Sequence, residues 1–329
     1  MDKQAAFSVI VLAYNEERNL PDCLNSLTGL NCDIFVVDSG STDRTREIAL
    51  AAGAKLAEHS FENYAAQRNW AQQNLPIETD WLLHLDADER LTAELRGEIA
   101  ALFAPQNSRR LARADGFMLR KRTIFLGRWI KHGAHYPSYH LRLFRKTAGG
   151  CEARLYDQHF VVNGRSETLK HDYLDVLCAD LDTWLARHLH WADLEARELM
   201  GRRAHDNSRQ VRANLFGNPI ERKRWLRNGV YNRSPLFVRA LLYWFYRYVI
   251  RLGFLDGKEG FIFHFLQGLW FRLLVDINLD RLRQPQRTSW RRAAAASLTG
   301  AILRETRLSS ETFSAAKSSS CVLDNSASR

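Results

Sequence analysis

An α/β fold, with a mostly parallel sheet flanked by helices, is predicted by three features of the 329-residue chain. Short β-branched runs alternate with helical patterns through the first hundred residues. Several of those runs end abruptly in polar turns, two of them at aspartates, Asp38 and Asp86. The positive charge sits apart from this region, in an aromatic-rich C-terminal third that predicts an amphipathic helical extension.

The elements follow in order. "SVIVLA", Ser8 to Ala13, is a run of strand length. In "NLPDCLNSL", Leu20, Cys23, Leu24 and Leu27 share one helical face. "DIFVVDSG" is a second strand ending at Asp38. "STDRTREIALAAG" reads as a helix with Ser41 or Asp43 as cap and Gly53 as stop. "AKLAE" is a third strand and "YAAQRNWAQQ" a helix. "WLLHLDAD" is a fourth strand, followed by "LTAELRGEIAALF", a helix capped by Thr92. After Asp115 the pattern loosens. "GFMLRKRTIFLG" and "YHLRLFRK" read as strands. "LDTWLARHLHWADLEARELMGRR" is a long helix whose Trp184, Leu185, His188, Trp191, Ala192 and Glu195 form a packing face. There is no internal repeat, and the Ser/Ala-rich end from Ser309 lacks periodicity, which predicts disorder.

The implied division is a catalytic domain over residues 1–225, a helical region over 226–285 and a tail over 286–329. Five scattered cysteines without a C-x-x-C exclude a disulfide framework and a zinc ribbon, and fit a reducing compartment. The N-terminal apolar run passes straight into "YNEERN" without a cleavage site, so it reads as a strand and not a signal peptide.

"WLLHLDADER" poses the chemical question. Two carboxylates, Asp86 and Asp88, close a buried strand. Such a pair repels unless a positive species is held there. In parallel α/β sheets ligands bind beyond the carboxyl ends of the strands. Asp38, Asp86 and the "AYNEE" turn all lie at such ends.

"VIVLAYNEERNL", "VVDSGSTDRT", "AAQRNWA" and "LLHLDADE" resemble, in order and spacing, the four nucleotide-sugar motifs of family 2 glycosyltransferases, whose catalytic domain has the GT-A fold, a Rossmann-like sheet. The resemblance covers about Phe7 to Ala192. "YDQHFVVNG" and "RLGFLDGKEG" are similar to the bacterial branch that builds lipopolysaccharide core and related surface polysaccharides. The resemblance implies an inverting, metal-dependent transfer from a UDP-sugar, with Mg²⁺ or Mn²⁺ as cofactor. It implies Asp88 as metal ligand, with Asp86 reaching the ribose or a metal-bound water. Asp38 is expected on the uracil edge and Glu16 on the ribose hydroxyls. Tyr14 and Ala13 would wall the base, and Arg68 would lie near the nucleotide.

Inversion also needs a base for the acceptor hydroxyl. "RLYDQHF" places Asp157 and His159 two apart, on one face of a strand. Asp157 is the expected base, with His159 orienting it or contacting phosphate. "GRWIKHGAHYP", with Trp129, His132, His135 and Tyr136, is expected to line the substrate. Processive members carry Q-x-x-R-W and several membrane spans. Here "ERKRW" has Glu221 in place of Gln, which predicts transfer of a single sugar.

From Gly201 to Arg292 there are 19 Lys+Arg against 6 Asp+Glu, and the rest of the chain is slightly acidic. Between Pro235 and Leu279 aromatics crowd around Arg239, Arg247 and Arg251, and the longest charge-free stretch is 12 residues, Gly260 to Phe271. A span needs about 20 apolar residues. The expectation is therefore helices lying in an anionic membrane surface with arginines among the headgroups. The expected place is the cytoplasmic face of the bacterial inner membrane, the expected partners a nucleotide sugar and a lipid-linked saccharide acceptor. Two alternatives are a nucleotidyltransferase, disfavoured because "AYNEERN" lacks glycine, and a non-catalytic basic membrane- or nucleic-acid-binding protein. No nucleic-acid motif occurs, so no nucleic-acid partner is expected. The sequence does not set the donor sugar, the acceptor's identity, the linkage, the oligomeric state, or whether Asp157 or another carboxylate such as Glu152 or Asp180 is the base.

Overall fold

The computed structural model describes residues 4–177, 181–201 and 210–283. Cys178, Asp180, Cys321 and the expected tail over 286–329 lie outside them. One compact unit runs to Leu279 and a second begins at Asp280.

The first four strands are β1 (Phe7–Ala13), β2 (Cys32–Asp38), β3 (Lys55–Glu58) and β4 (Trp81–Asp86). They lie in the order β3-β2-β1-β4, all parallel, as the alternation with helices requires. Helices α1 (Leu20–Asn25), α2 (Thr45–Ala51) and α3 (Tyr64–Asn74) make the crossovers. β1 is buried throughout. Its Val9, Val11 and Ala13 pack with Leu20 and Cys23 of α1, while Ile10 and Leu12 pack with Ala65 and Ala71 of α3. A strand covered on both faces must be apolar at every position, which is why it reads as an unbroken run. Truncating Ile10 to Ala would cost about 2–5 kcal/mol.

Beyond β4 the sheet becomes mixed. The added strands are β5 (Glu89–Leu91), β6 (Gly116–Phe125), β7 (Arg128–Trp129), β8 (Ser138–Arg145) and β11 (Ser166–Leu177). β8 runs antiparallel between β4 and β6, β11 is parallel to β6, and β5 pairs antiparallel with β11. β9 (Gly149–Cys151) and β10 (Phe160–Val162) form a separate antiparallel ribbon. The connection from β6 to β8 is too short for a crossover helix, so those two strands pair antiparallel. The fold is α/β, as expected: a mixed sheet flanked by helices, its parallel half carrying the polar turns.

Caps fix the helix starts. Asn63 accepts from the Ala66 N–H at α3, and Thr92 from Leu95 at α4 (Ala93–Leu102). Neither Ser41 nor Asp43 caps α2 as expected. Ser41 is drawn onto Asp38, and Asp43 accepts from the Thr45 N–H and hydroxyl within the turn. Gly53, at φ +76°, ends α2 as expected.

After a short α5 (Ser108–Arg113), the remaining helices are α6 (Leu181–Gly201), α7 (Pro219–Gly229), α8 (Val238–Phe245), α9 (Gly257–Phe263) and α10 (Phe271–Arg283). Trp184, His188, Ala192 and Glu195 of α6 are buried, as its spacing predicts. Trp184 packs with Phe125, Ile130 and Phe263, and Ala192 with Phe271 and Val275. Glu221 acts locally, closing a capping box with Asn218 at the start of α7.

Two expectations for the C-terminal helices are corrected. Arg239 and Arg247 point inward. Arg239 is 3% exposed and bonded through two nitrogens to Asp276, and Arg247 is 7% exposed. Asp276 lies 37 residues on, so local spacing could not reveal the pairing. The outward face carries Leu241, Leu242, Phe245, Ile250 and Phe254 instead. Secondly, Gly253–Arg283 is one helical stretch of 31 residues, long and apolar enough to cross a bilayer by length and composition. Short π turns at His264–Trp270 join its parts. Its Phe263, Phe271 and Val275 are packed against the rest of the chain, as in a core helix.

Candidate active site

Backbone bonds stitch the three polar turns together. The Ser39 N–H donates to the Ala13 carbonyl (3.0 Å) and the Ala87 N–H to the Leu12 carbonyl (3.0 Å). The "YNEE" turn is pinned to the "STD" turn. The Asn15 N–H donates to Ser41 Oγ (2.9 Å), the Glu16 N–H to Thr45 Oγ1 (2.8 Å) and the Glu17 N–H to Asp43 Oδ2 (3.1 Å). These side chains are used because a turn beyond a strand end has N–H groups without ladder partners.

Ala13 is buried and Tyr14 is 52% exposed at this rim. Asp38 is fully buried and saturated: it accepts from the Gly40 and Ser41 N–H groups, the Ser41 hydroxyl and Arg46 Nε (2.8 Å). Burial opposes its ionisation, but these donors hold it below the ordinary carboxylate range. Glu16 accepts from Asn19 Nδ2 (2.7 Å) and lies 3.9 Å from Arg187 of α6. Burial raises its carboxyl.

Asp86 and Asp88 have opposite environments. Arg68, on α3, reaches both oxygens of Asp86 at 2.9 Å, and Arg142, on β8, adds a contact at 3.2 Å. Burial would raise Asp86, but the two guanidinium groups hold it well below the ordinary range. The carboxylate of Asp88 has no hydrogen bond or ion pair among the described residues. Burial pushes it well up, and the charges of Asp175, Asp86, Glu89 and Glu16 push it further. Glu89 pairs with Arg142 and accepts the Asp86 N–H (3.0 Å); burial, Asp86 and Asp175 still raise it to about 7.

A crowd of carboxylates with one of them unpartnered is an incomplete site for a cation. Among the described residues no three His, Cys, Asp or Glu side chains could hold an ion by themselves. Mg²⁺ and Mn²⁺ take one or two carboxylates and fill the remaining positions with water and phosphate oxygens. Asp88 fits that place. Asp86 is engaged by its arginines.

Beside them lies a cavity of about 140 Å³ lined by Arg68, His140, Leu141, Arg142, Gln158, His159 and Phe160. The structure thus brings His159 to Arg68 and the Asp86 arginines. Asp157 adjoins this group but is aimed away. It has φ +56°, and its carboxylate is bonded to Arg227 of α7. Burial opposes its charge, but Arg227, His159 and Lys223 hold the carboxyl well below the ordinary range. His159 Nδ1 is 3.0 Å from the Asp157 carbonyl, 3.3 Å from Glu152 Oε1 and 3.0 Å from Arg224 Nη2. Glu152 is fully buried, and it also accepts from Arg224 (2.6 Å) and from the His159 N–H (3.0 Å).

Nothing in the sequence ranks Glu152 above Asp157 or singles out Arg142. An acid in "GGCEAR" and an arginine in "LRLFR" are ordinary there. Their partners are 7 to 72 residues away. The "GRWIKHGAHYP" residues serve as scaffold. His132 bonds Asp256 (2.6 Å), His135 bonds Thr123 (2.8 Å) and Tyr136 bonds Asp172 (3.1 Å).

The family model described as glycosyl transferase family 2 matches residues 8–148. An uncharacterized glycosyltransferase of Rickettsia bellii (strain RML369-C) is 25% identical over 278 residues, 84% of this chain and 86% of that one. The lipopolysaccharide core biosynthesis glycosyltransferase LpsC of Rhizobium meliloti (strain 1021) is 29% identical over 147 residues, 43% of this chain and 52% of that one. Among solved structures, S. aureus TarS 1–349 in complex with UDP-GlcNAc is 14% identical, with a TM-score of 0.43 over 85% of this chain and 92% of that one.

Proposed function

We propose, from the premise that this chain is a family 2 glycosyltransferase whose family domain spans residues 8–148, that it moves one sugar from a UDP-sugar to a lipid-linked saccharide in bacterial surface-polysaccharide synthesis, with inversion. The observation that carries the reading is the unpartnered Asp88 carboxylate beside the Arg68–Asp86–Arg142 cluster, at the strand ends where nucleotides bind. The likeness to LpsC supports a lipopolysaccharide acceptor.

In this reading Asp88 holds Mg²⁺ or Mn²⁺, which when bound offsets the charge of the departing diphosphate. Asp86 fixes Arg68 and Arg142 at the edge of the cavity. Tyr14 and Ala13 wall the base, Asp38 meets its edge by exchanging one of its present donors, and Glu16 takes the ribose hydroxyls. His159 takes the proton, and Asp157 contributes through its carbonyl, which faces the ring, while its carboxylate stays with Arg227. In this reading Arg224 gives its N–H to Glu152 and not to the ring, Nδ1 carries a proton toward the Asp157 carbonyl and Glu152, and Nε2 keeps its lone pair for the acceptor hydroxyl. Glu152 orients the imidazole and stabilises its charged form once the proton has moved.

The apolar outward face of α8, with Arg233, Arg251 and Lys258 exposed near it, supports peripheral attachment to the cytoplasmic face of the inner membrane. A thermal-shift series with UDP, GDP and their sugar conjugates, with and without Mn²⁺, tests the donor. A ligand that binds only the folded state raises its apparent stability. No shift with any uridine nucleotide would overturn the reading.

A further inference from the structure

Among the described residues, three large apolar side chains sit on left-handed backbone: Leu126 at φ +49°, Phe237 at +66° and Leu252 at +59°. There the Cβ crowds a neighbouring carbonyl oxygen, a cost that glycine escapes and asparagine largely offsets with local hydrogen bonds. The three are also exposed, by 41%, 42% and 46%. A lone exposed leucine is ordinary. An exposed apolar residue where the backbone asks for glycine or asparagine is not, because packing inside the fold returns little for the strain.

Two of the positions have well-defined turn chemistry. Leu126 and Gly127 form the two-residue loop between β6 and β7, bounded by the pairs Phe125 with Arg128 and Ile124 with Trp129. Both loop residues have positive φ, as in a type I′ turn, where Asn-Gly, Asp-Gly or Gly-Gly is the usual choice. Leu252 follows the helical turns that continue α8 to Ile250, at the place where helices commonly end on a left-handed glycine. Phe254 and Leu255, just beyond it, are exposed as well.

The two turns are neighbours. Arg128 Nη1 lies 3.8 Å from Glu259 at the start of α9, and a Cβ on Gly257 would come within 3.2 Å of the same nitrogen. The residues after β7 are tied to the second turn too. The Gly133 N–H donates to the Arg251 carbonyl (2.9 Å), and the buried Asp256 accepts the His132 N–H (2.8 Å). The exposed charges on these segments are basic: Arg128, Lys131, Arg251 and Lys258.

We infer that the β6–β7 turn and the turn at Leu252–Leu255 dip Leu126, Leu252, Phe254 and Leu255 into an anionic bilayer, as a contact additional to the outward face of α8. The inference rests on the attachment reading and deepens it. A single helix face leaves the chain free to roll about the helix axis. A second contact, made by the sheet itself, fixes how the catalytic domain faces the lipid that carries the acceptor. The four basic side chains meet the lipid phosphates while the apolar ones reach the acyl boundary, so the strain is offset by burial in lipid and not in protein.

The test uses two substitutions in the full chain that suit the backbone and remove the apolar group, Leu126→Asn and Leu252→Gly. In sedimentation with vesicles of phosphatidylglycerol and phosphatidylethanolamine in equal parts, each variant should bind about tenfold more weakly, as a half-exposed leucine kept out of lipid would. The urea midpoint should hold or rise, since each change relieves strain. A lowered midpoint marks these side chains as part of the fold and overturns the inference. Sedimentation equal to wild type also overturns it, with attachment through α8 left standing. If the wild-type chain does not sediment, the attachment reading fails and the inference with it. A wild-type dimer in light scattering that both variants dissociate gives the turns to a second copy of the chain, and overturns the lipid contact.

Discussion

Asp86 and Asp88 stand two residues apart with opposite needs: Asp86 is held by Arg68 and Arg142, and Asp88 by none of the described residues. Their amides should therefore behave differently. Asp86→Asn leaves two arginines short of a counter-charge and should lower stability by about 3 kcal/mol. Asp88→Asn relieves repulsion and should leave the urea midpoint unchanged or raised, while abolishing Mn²⁺-dependent nucleotide binding. Similar losses of stability in both variants would refute the assignment.

The proton acceptor is tested by three substitutions. His159→Gln should lower kcat by about 10² or more, the usual worth of a general base, with donor affinity little changed. Glu152→Gln should lower kcat less. Asp157→Asn should mainly lower stability, because Arg227 then keeps only Glu195. A large kcat loss in Asp157→Asn with normal turnover in His159→Gln would give the role to the carboxylate.

His188 predicts a pH dependence of stability. Its Nδ1 donates to the Trp184 carbonyl (2.8 Å) and its Nε2 accepts from Gln267 (2.7 Å), an arrangement that needs the neutral ring. Burial lowers its pKa from 6.5 to about 4. The folded value is depressed, so the stabilisation is full above the unfolded pKa and is lost as pH falls toward 4. Between pH 7.5 and 5 the loss should be about 2 kcal/mol. His188→Gln, which can keep both bonds, should remove that part of the slope. An identical slope in the variant would count against the account.

Membrane attachment should depend on the outward face of α8. Leu241→Asp with Leu242→Asp should abolish sedimentation with anionic vesicles and leave UDP binding intact. High salt should weaken wild-type binding without eliminating it, since apolar burial is not screened. Sedimentation of the double variant equal to wild type would exclude this face.

The parallel half is legible in the sequence for a physical reason. β1, β2 and β4 are largely buried on both faces, so they appear as apolar runs, and the turns that follow are forced to be polar. The mixed half hides its logic in distant pairs. Arg142 in β8 looks like a surface charge until Glu89, 53 residues earlier, comes into view. Asp157 looks like a free base because Arg227, 70 residues on, is invisible to local spacing. Arg239 and Arg247 read as outward for the same reason.

The inward Arg239 of α8 also sets which substitutions the helix tolerates. Arg239 meets one carboxylate of Asp276 through two nitrogens, a fork that lysine cannot reproduce. Leu241, Leu242 and Phe245 are largely open to solvent, so any bulky apolar residue of good helix propensity can replace them at little cost to folding. In a saturation library selected first for folding and then for attachment, position 239 fails at the first step for nearly every residue. Positions 241, 242 and 245 pass it freely and are sorted only at the second.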